Sequence, residues 1–85
     1  MPIKNRKIAF IGAGHITEMM ISNLARTDNI IPKSLIASDP VREKMEKLRK
    51  KFGISIAENN QEAVYTADFV FVNVLPNNVD DVVAE

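Results

Sequence analysis

The chain has 85 residues, with eleven basic residues, eleven acidic residues, a formal net charge of zero and no cysteine. This length fits one domain, and the lack of cysteine excludes disulfides and thiolate metal sites. The first residues lack the apolar run of a signal peptide, and no apolar run approaches the roughly eighteen residues of a membrane span. Composition therefore predicts one domain, residues 1–85, of a cytoplasmic protein with no membrane segment.

The charges are distributed unevenly along the chain. All eleven basic residues lie between Lys4 and Lys51, and every charged residue after Phe52 is acidic. The basic first half favours an anionic ligand there, although solvated helix faces would give the same distribution. No aromatic residue interleaves the basic run from Lys44 to Lys51, so nucleic-acid binding is not predicted.

The stretch from Lys7 to Thr17, KIAFIGAGHIT, is typical of a strand that runs into a glycine turn and then a helix. Gly12 permits a sharp turn at the strand end, and Gly14 leaves no side chain where a ligand must approach the main chain. The N–H groups and positive dipole end of the following helix favour phosphate. The pattern predicts a nucleotide site, the alternative being a tight turn without a ligand.

The predicted elements alternate between strand and helix. In chain order they are a strand at 7–11, a helix at 15–26, a loop at 30–33, a strand at 35–38, a helix at 40–52, a strand at 54–56, a helix from Asn59 or Asn60 to 67, a strand at 69–74 and a last helix after 77. The first helix is expected to bury Ile16, Met20 and Leu24, which recur at helical spacing, with Met19 beside them.

The second helix is expected to open at Asp39 and Pro40, because Asp suits the cap and Pro the first helical position. Its apolar positions form one stripe of Val41, Met45, Leu48 and Phe52. Gly53 is expected to end it in the left-handed conformation.

This order predicts an α/β fold, a doubly wound Rossmann-like parallel sheet with strand order 3-2-1-4. Ligands of such sheets bind beyond the carboxyl ends of the strands where the winding reverses, and both 12–14 and 73–76 fall there. The fourth strand is the most apolar, and no fifth strand follows to cover its outer edge. The chain is therefore expected to be the N-terminal part of a longer protein, or a module that associates with a partner.

Asp39, at the end of the second strand, bears on which dinucleotide binds. As a ribose acid it would accept hydrogen bonds from both adenosine hydroxyls and favour NAD, but it would serve equally as a helix cap. If the cofactor is NADP, then Ser38, Arg42 or Lys44 would contact the 2′-phosphate. Both cofactors remain open.

Two further polar residues lie at the predicted site. His15, in the first turn of the glycine helix, would donate to a pyrophosphate or face solvent. Since the chain has no second His and no Cys, a metal site is not expected. Asn73 ends an apolar strand, where burial would leave its amide unpaired, and this favours a site role over a core role.

These segments together resemble the N-terminal cofactor domain of pyrroline-5-carboxylate reductases, almost end to end. FIGAGHI at 10–16 is similar to the family's F-I-G-A-G-N-M, and IIP at 30–32 with LIASD at 35–39 is similar to its loop and second strand. NQEAV at 60–64 before Ala67-Asp68 resembles its N-x-E-A-V…A-D, and NVLP at 73–76 takes the place of A-V-K-P. Thr17, Asn73 and Leu75 stand where that pattern has a small residue, Ala and Lys.

The resemblance implies an oxidoreductase of proline biosynthesis that reduces the C=N bond of 1-pyrroline-5-carboxylate with hydride from NADPH or NADH. It implies cofactor contacts in three groups: Ile11, Gly12, Ala13, Gly14, His15 and Ile16 at the pyrophosphate, Asp39 and Asn60 at the adenosine end, and Asn73, Val74, Leu75 and Pro76 near the nicotinamide ribose. The family's substrate site and oligomer contacts lie in a following helical domain. The full-length protein is therefore expected to be a homo-oligomer, and this chain alone to be inactive.

Two alternatives remain from other classes. A β-hydroxyacid dehydrogenase would have a similar cofactor half, but its usual turn is G-x-G-x-M-G, and Ile16-Thr17 does not match it. A non-catalytic module that binds a nucleotide or a protein partner would use the exposed fourth strand instead.

Overall fold

The structure, a computed structural model, describes residues 6–27, 30–65 and 67–73. Within these ranges four strands alternate with three α-helices, and a short 3-10 helix, Pro32–Ser34, occupies part of the expected loop. The elements are β1 (Ile8–Ile11), α1 (His15–Ala25), β2 (Leu35–Ser38), α2 (Arg42–Phe52), β3 (Ser55–Ile56), α3 (Asn60–Tyr65) and β4 (Phe69–Val72). The helix expected after residue 77 lies outside the described residues.

The four strands form one parallel sheet in the order β3-β2-β1-β4, which confirms the predicted order. β1 is central, and its last residue, Ile11, is in register with Ser38 of β2 and Val72 of β4. Three strands therefore end side by side at one edge of the sheet. That edge is where a doubly wound sheet binds its ligand.

Helices cover both faces of the sheet. Successive residues of β1 point to opposite faces, so β1 contributes to a core on each side. Phe10 is fully buried in the larger core between the sheet and helices α1 and α2, where its ring stacks on Phe71 with centroids 5.6 Å apart. Ala9 and Ile11 pack on the other side in a smaller core with Ala63 of α3. The all-apolar sequence of β1 follows from this burial on both faces.

The buried face of α1 differs in part from the predicted one. Met20 and Leu24 pack against the core as expected. Ile16 and Met19 are exposed, at 59% and 64%, whereas Thr17 and Ile21 are fully buried. The helix is rotated so that Thr17 faces the glycine turn. A threonine is tolerated in this position because its hydroxyl donates to the Gly12 carbonyl and is not left unpaired.

The start of α2 also differs from the prediction. The helix begins at Arg42, and its N-cap is Val41, which is 46% exposed. Asp39 Oδ1 accepts the Val41 N–H at 2.8 Å, so an Asx turn occupies the residues expected to form the first helical turn. The end of α2 is as predicted: Gly53 has φ +76° and its N–H donates to the Arg49 carbonyl.

β4 forms an edge of the sheet in the described part of the chain. Its four residues, Phe69, Val70, Phe71 and Val72, are each 40–49% exposed. In the described residues β4 is therefore an apolar edge strand, and such strands pair readily with another chain. None of the described helices combines the length and apolarity that crossing a bilayer requires.

Candidate functional site

The glycine turn lies between the ends of β2 and β4. The Gly12 N–H donates to the Ser38 carbonyl at 2.7 Å, and the Asn73 N–H donates to the Ile11 carbonyl at 2.8 Å. Each bond extends a parallel ladder by one residue beyond the strand. The sheet thus brings together three regions that are distant in sequence and that were all predicted to contact the cofactor.

The two glycines of the turn differ in conformation and in surroundings. Gly12 has φ +106°, a conformation that side chains disfavour. Gly14 has an ordinary φ of −91° and is the N-cap of α1, with no side-chain cap hydrogen bond. Apart from its own chain neighbours, a Cβ built on Gly14 would meet no atom of the described residues within 4 Å. Open space therefore lies in front of this helix start, and the residues present fit the phosphates of a dinucleotide.

Side chains hold both polar groups of the peptide between Gly12 and Ala13. The Gly12 carbonyl accepts the Thr17 hydroxyl at 2.5 Å, and the Ala13 N–H donates to Asp39 Oδ2 at 2.8 Å. The sequence did not indicate the contact from Asp39 to the turn.

Asp39 therefore braces two backbone segments at once. One carboxylate oxygen accepts from the glycine turn and the other from Val41 before α2. A carboxylate offers about four lone-pair positions, so these two bonds leave acceptor capacity for ribose hydroxyls. The bonds of Asp39 to the backbone are compatible with the ribose role, but the predicted cap role is wrong, because the N-cap of α2 is Val41.

Ser38 and Asn60 meet at the neighbouring end of the sheet. Ser38 is 3% exposed, and its hydroxyl donates to Asn60 Oδ1, at the start of α3, at 2.7 Å. The Ser38 hydroxyl is thus directed into the protein. Arg42, by contrast, is exposed at the start of α2 and pairs with Glu46 at 3.5 Å.

Asn73 contacts α1 across the turn. Its Nδ2 group donates to Thr17 Oγ1 at 3.1 Å and lies 3.4 Å from Met20 Sδ. Sequence reasoning assigned Asn73 to the site but missed its partner. The available signal was that both Asn73 and Thr17 depart from the reductase pattern.

The remaining predicted contacts are more peripheral. His15 is exposed at the first position of α1, and Ile16 follows it with its side chain largely in solvent. Val74, Leu75 and Pro76 lie outside the described residues. Across the ranges that the structure describes, no group of three or more His, Asp or Glu side chains could hold a metal ion.

A parallel sheet with a glycine turn, a helix start without a side-chain cap and an acid at the end of β2 defines a Rossmann-like domain, a class in which this edge of the sheet commonly binds dinucleotides. Comparison with protein families gives a more specific assignment. The chain belongs to the family described as NADP oxidoreductase coenzyme F420-dependent, whose model matches residues 7–85.

Curated relatives support the resemblance found in the sequence. The chain is 40% identical over 70 residues to the pyrroline-5-carboxylate reductase of Pseudomonas aeruginosa, covering 82% of this chain and 25% of that protein. It is 31% identical over 80 residues to the Escherichia coli K12 reductase, covering 94% of this chain and 30% of that protein. The chain thus spans less than a third of the length of these relatives.

A solved structure shows the same fold. A pyrroline-5-carboxylate reductase from Coxiella burnetii matches with a TM-score of 0.83 at 22% identity, over 91% of this chain and 28% of that chain. The predicted doubly wound, Rossmann-like fold is therefore confirmed, and the pyrroline-5-carboxylate reductases are confirmed as similar proteins.

Proposed function

We propose that this chain is the NAD(P)-binding part of a reductase that converts 1-pyrroline-5-carboxylate to L-proline. The observation that carries the proposal is the glycine turn, with open space at Gly14, in a chain 40% identical to a curated reductase of this name. The substrate, the homo-oligomer and the cytoplasmic location expected from the sequence belong to the same proposal.

The residues of the turn would bind the dinucleotide through the main chain. Gly14 leaves room for the pyrophosphate, and the first N–H groups of α1 have no intrahelical acceptors. The Ala13 N–H is used by Asp39, so we expect the N–H groups that follow it to donate to the phosphates. A bound nicotinamide would supply the hydride for reduction of the C=N bond.

Asp39 supports NAD as one cofactor of this site, because a carboxylate at the end of β2 accepts ribose hydroxyls and repels a 2′-phosphate. The exposed guanidinium of Arg42 supports NADP as the other cofactor. Arg42 lies three residues after Asp39 and pairs with Glu46 of its own helix, and a guanidinium in this position would contact the 2′-phosphate. We propose that the protein binds both, with Asp39 favouring NAD.

Gly14→Val tests the site. The new side chain would occupy the open space in front of α1, and the φ of −91° suits valine, so we expect a stable fold that binds NADH and NADPH at least a hundredfold more weakly, or about 2.7 kcal/mol. The measurement is titration calorimetry of the whole protein. Ala25→Val is the matched control, since it places the same side chain at the far, exposed end of α1.

Unchanged affinity in Gly14→Val would show that the turn is not the pyrophosphate site. The reaction is tested separately by following NADH and NADPH oxidation with 1-pyrroline-5-carboxylate and detecting proline as the product. If the protein binds dinucleotide but does not form proline, the proposed cofactor site stands and the proposed substrate is wrong.

A second candidate follows from the matching family model, whose description names NADP and coenzyme F420. In this alternative the protein would transfer reducing equivalents between these two molecules. The same protein, supplied with reduced coenzyme F420 and NADP, would then form NADPH without any pyrroline substrate.

A further inference from the structure

The Gly12–Ala13 peptide is fixed from both sides. Its carbonyl accepts the Thr17 hydroxyl and its N–H donates to Asp39, at 2.5 and 2.8 Å. The described residues include no cis peptide bond, so these two groups point in opposite directions. Rotation of the peptide plane would break both hydrogen bonds, and the plane is consequently held between α1 and the end of β2.

Asn73 reinforces the direction in which the Thr17 hydroxyl donates, because both the Gly12 carbonyl and the Asn73 amide require it. A hydroxyl has a single proton. Because Asn73 Nδ2 donates to Thr17 Oγ1 at 3.1 Å, the oxygen is an acceptor toward β4 and its proton remains for the Gly12 carbonyl. Thr17 is fully buried, so bulk water does not compete for either bond.

The backbone of Asn73 is itself held in place by a hydrogen bond. Its N–H donates to the Ile11 carbonyl at 2.8 Å, which ties it to the residue immediately before the turn. The side chain then returns to α1 through Thr17. The end of β1, the turn and the first turn of α1 are thereby joined by a closed set of hydrogen bonds.

We propose that Thr17 and Asn73 act together as a positioning pair that orients the Gly12–Ala13 peptide for the bound dinucleotide. The inference rests on the proposed dinucleotide site. The clamped peptide is not itself the contact to phosphate, because the Ala13 N–H is bound to Asp39. Its orientation sets the path of the chain into Gly14 and the start of α1, where the phosphate would lie.

A double-mutant cycle on the dissociation constants for NADH and NADPH tests the pair. Thr17→Val removes the hydroxyl with little change in shape, and loss of its hydrogen bonds should weaken binding about tenfold. Thr17→Ser retains the hydroxyl and should stay within about twofold of the wild type. Asn73→Ala should weaken binding about threefold in the wild-type background and clearly less in the Thr17→Val background, where only its contact with Met20 Sδ is lost.

Asn73→Asp provides a second test that depends on the direction of the proton. A carboxylate only accepts, so it would draw the Thr17 proton away from the Gly12 carbonyl. We therefore expect Asn73→Asp to bind dinucleotide more weakly than Asn73→Ala. In the Thr17→Val background, Asn73→Asp measures the effect of the added charge alone. This effect must be smaller than the effect of Asn73→Asp in the wild-type background.

All affinities are to be measured at a temperature at which circular dichroism shows each variant folded, in the whole protein. A lower Tm with unchanged affinity for Thr17→Val would overturn the proposal, since it would show a purely structural role. Equal effects of Asn73→Ala in the wild-type and Thr17→Val backgrounds would also overturn it. No dinucleotide binding by the wild type would overturn the proposed function and this inference with it.

Discussion

At the scale of single residues, Asp39 makes hydrogen bonds to the backbone that the proposed ribose role does not require. Its two oxygens accept from Ala13 in the glycine turn and from Val41 before α2. Substitution at this position therefore affects the shape of the glycine turn as well as the charge at the proposed adenosine end. The two effects can be separated, because the brace supports both dinucleotides equally, whereas only the charge distinguishes NADH from NADPH.

Asp39→Ser is expected to shift the ratio of the two affinities toward NADPH by about tenfold, because the carboxylate no longer repels the 2′-phosphate or accepts the ribose hydroxyls. The loss of the hydrogen bonds from Asp39 to the backbone should also lower the stability by about 1 kcal/mol. Titration with each dinucleotide gives the ratio, and thermal unfolding gives the stability.

Glu43→Ser is the matched control for this experiment. It removes an exposed acid from the first turn of the same helix and leaves the carboxylate that braces the glycine turn in place. A shift in the ratio with Glu43→Ser as large as that with Asp39→Ser would indicate a general charge effect. If the ratio does not change with Asp39→Ser, the residue is a backbone brace alone.

At the scale of the elements, one charged cluster links α1 to α2. Glu18 accepts from Lys51 at 2.7 Å and lies 4.0 Å from Lys47. The hydrogen bond from the Lys51 side chain is the main reason why the pKa of Glu18 is lowered from its ordinary value of 4.5, and the positive charges of Lys51 and Lys47 lower it further. The cluster accounts for part of the basic run in the sequence as a structural feature.

A lowered carboxyl pKa contributes stability above the unfolded-state pKa, and this is lost as the pH falls through the folded-state value. Glu18→Gln should therefore lower the Tm slightly at neutral pH and have progressively less effect below about pH 4.5. Added salt should reduce the difference at neutral pH, because the pair lies near the surface. A difference between wild type and Glu18→Gln that persists in acid would show that the ion pair does not cause it.

The elements were predictable from the sequence to different degrees. The sheet order followed from strand and helix alternation alone, and Gly53 ended α2 as expected. Hydrophobic spacing placed Met20 and Leu24 of α1 against the core. The burial of Thr17 was not predictable in this way, because it is a polar residue that takes a core position through its bond to the Gly12 carbonyl. The start of α2 was missed for a similar reason: Asp39 divides its hydrogen bonds between the residue before the helix and the glycine turn.

The candidate site shows the same limit. The glycines, Asp39 and Asn73 could be placed at one edge of the sheet, because parallel strands end together. The contacts among them could not, since Thr17 and Asn73 are 56 positions apart and Ala13 and Asp39 are 26 apart. Local propensity carries no information about such pairs. Their geometry depends on the tertiary packing of α1 and β4 against β1.

At the scale of the whole molecule, strand β4 is an exposed apolar edge of the sheet in the described residues. Its residues are 40–49% exposed although they are all apolar, and β4 pairs with β1 on one side. Unpaired edges of this kind template association with another strand. The chain spans only 25–30% of its curated relatives, so in a longer protein this edge would be available to further chain.

The 85-residue chain expressed alone is therefore expected to associate as its concentration rises. Val70→Lys should weaken the association about tenfold, or about 1.4 kcal/mol, because a charge on an exposed edge strand opposes strand pairing. Sedimentation velocity over a range of concentrations measures both. Tyr65→Lys is the control, since it adds the same charge at an 87% exposed position on α3, away from the edge. A monomer at all concentrations, or equal effects of the two lysines, would show that β4 is not the associating surface.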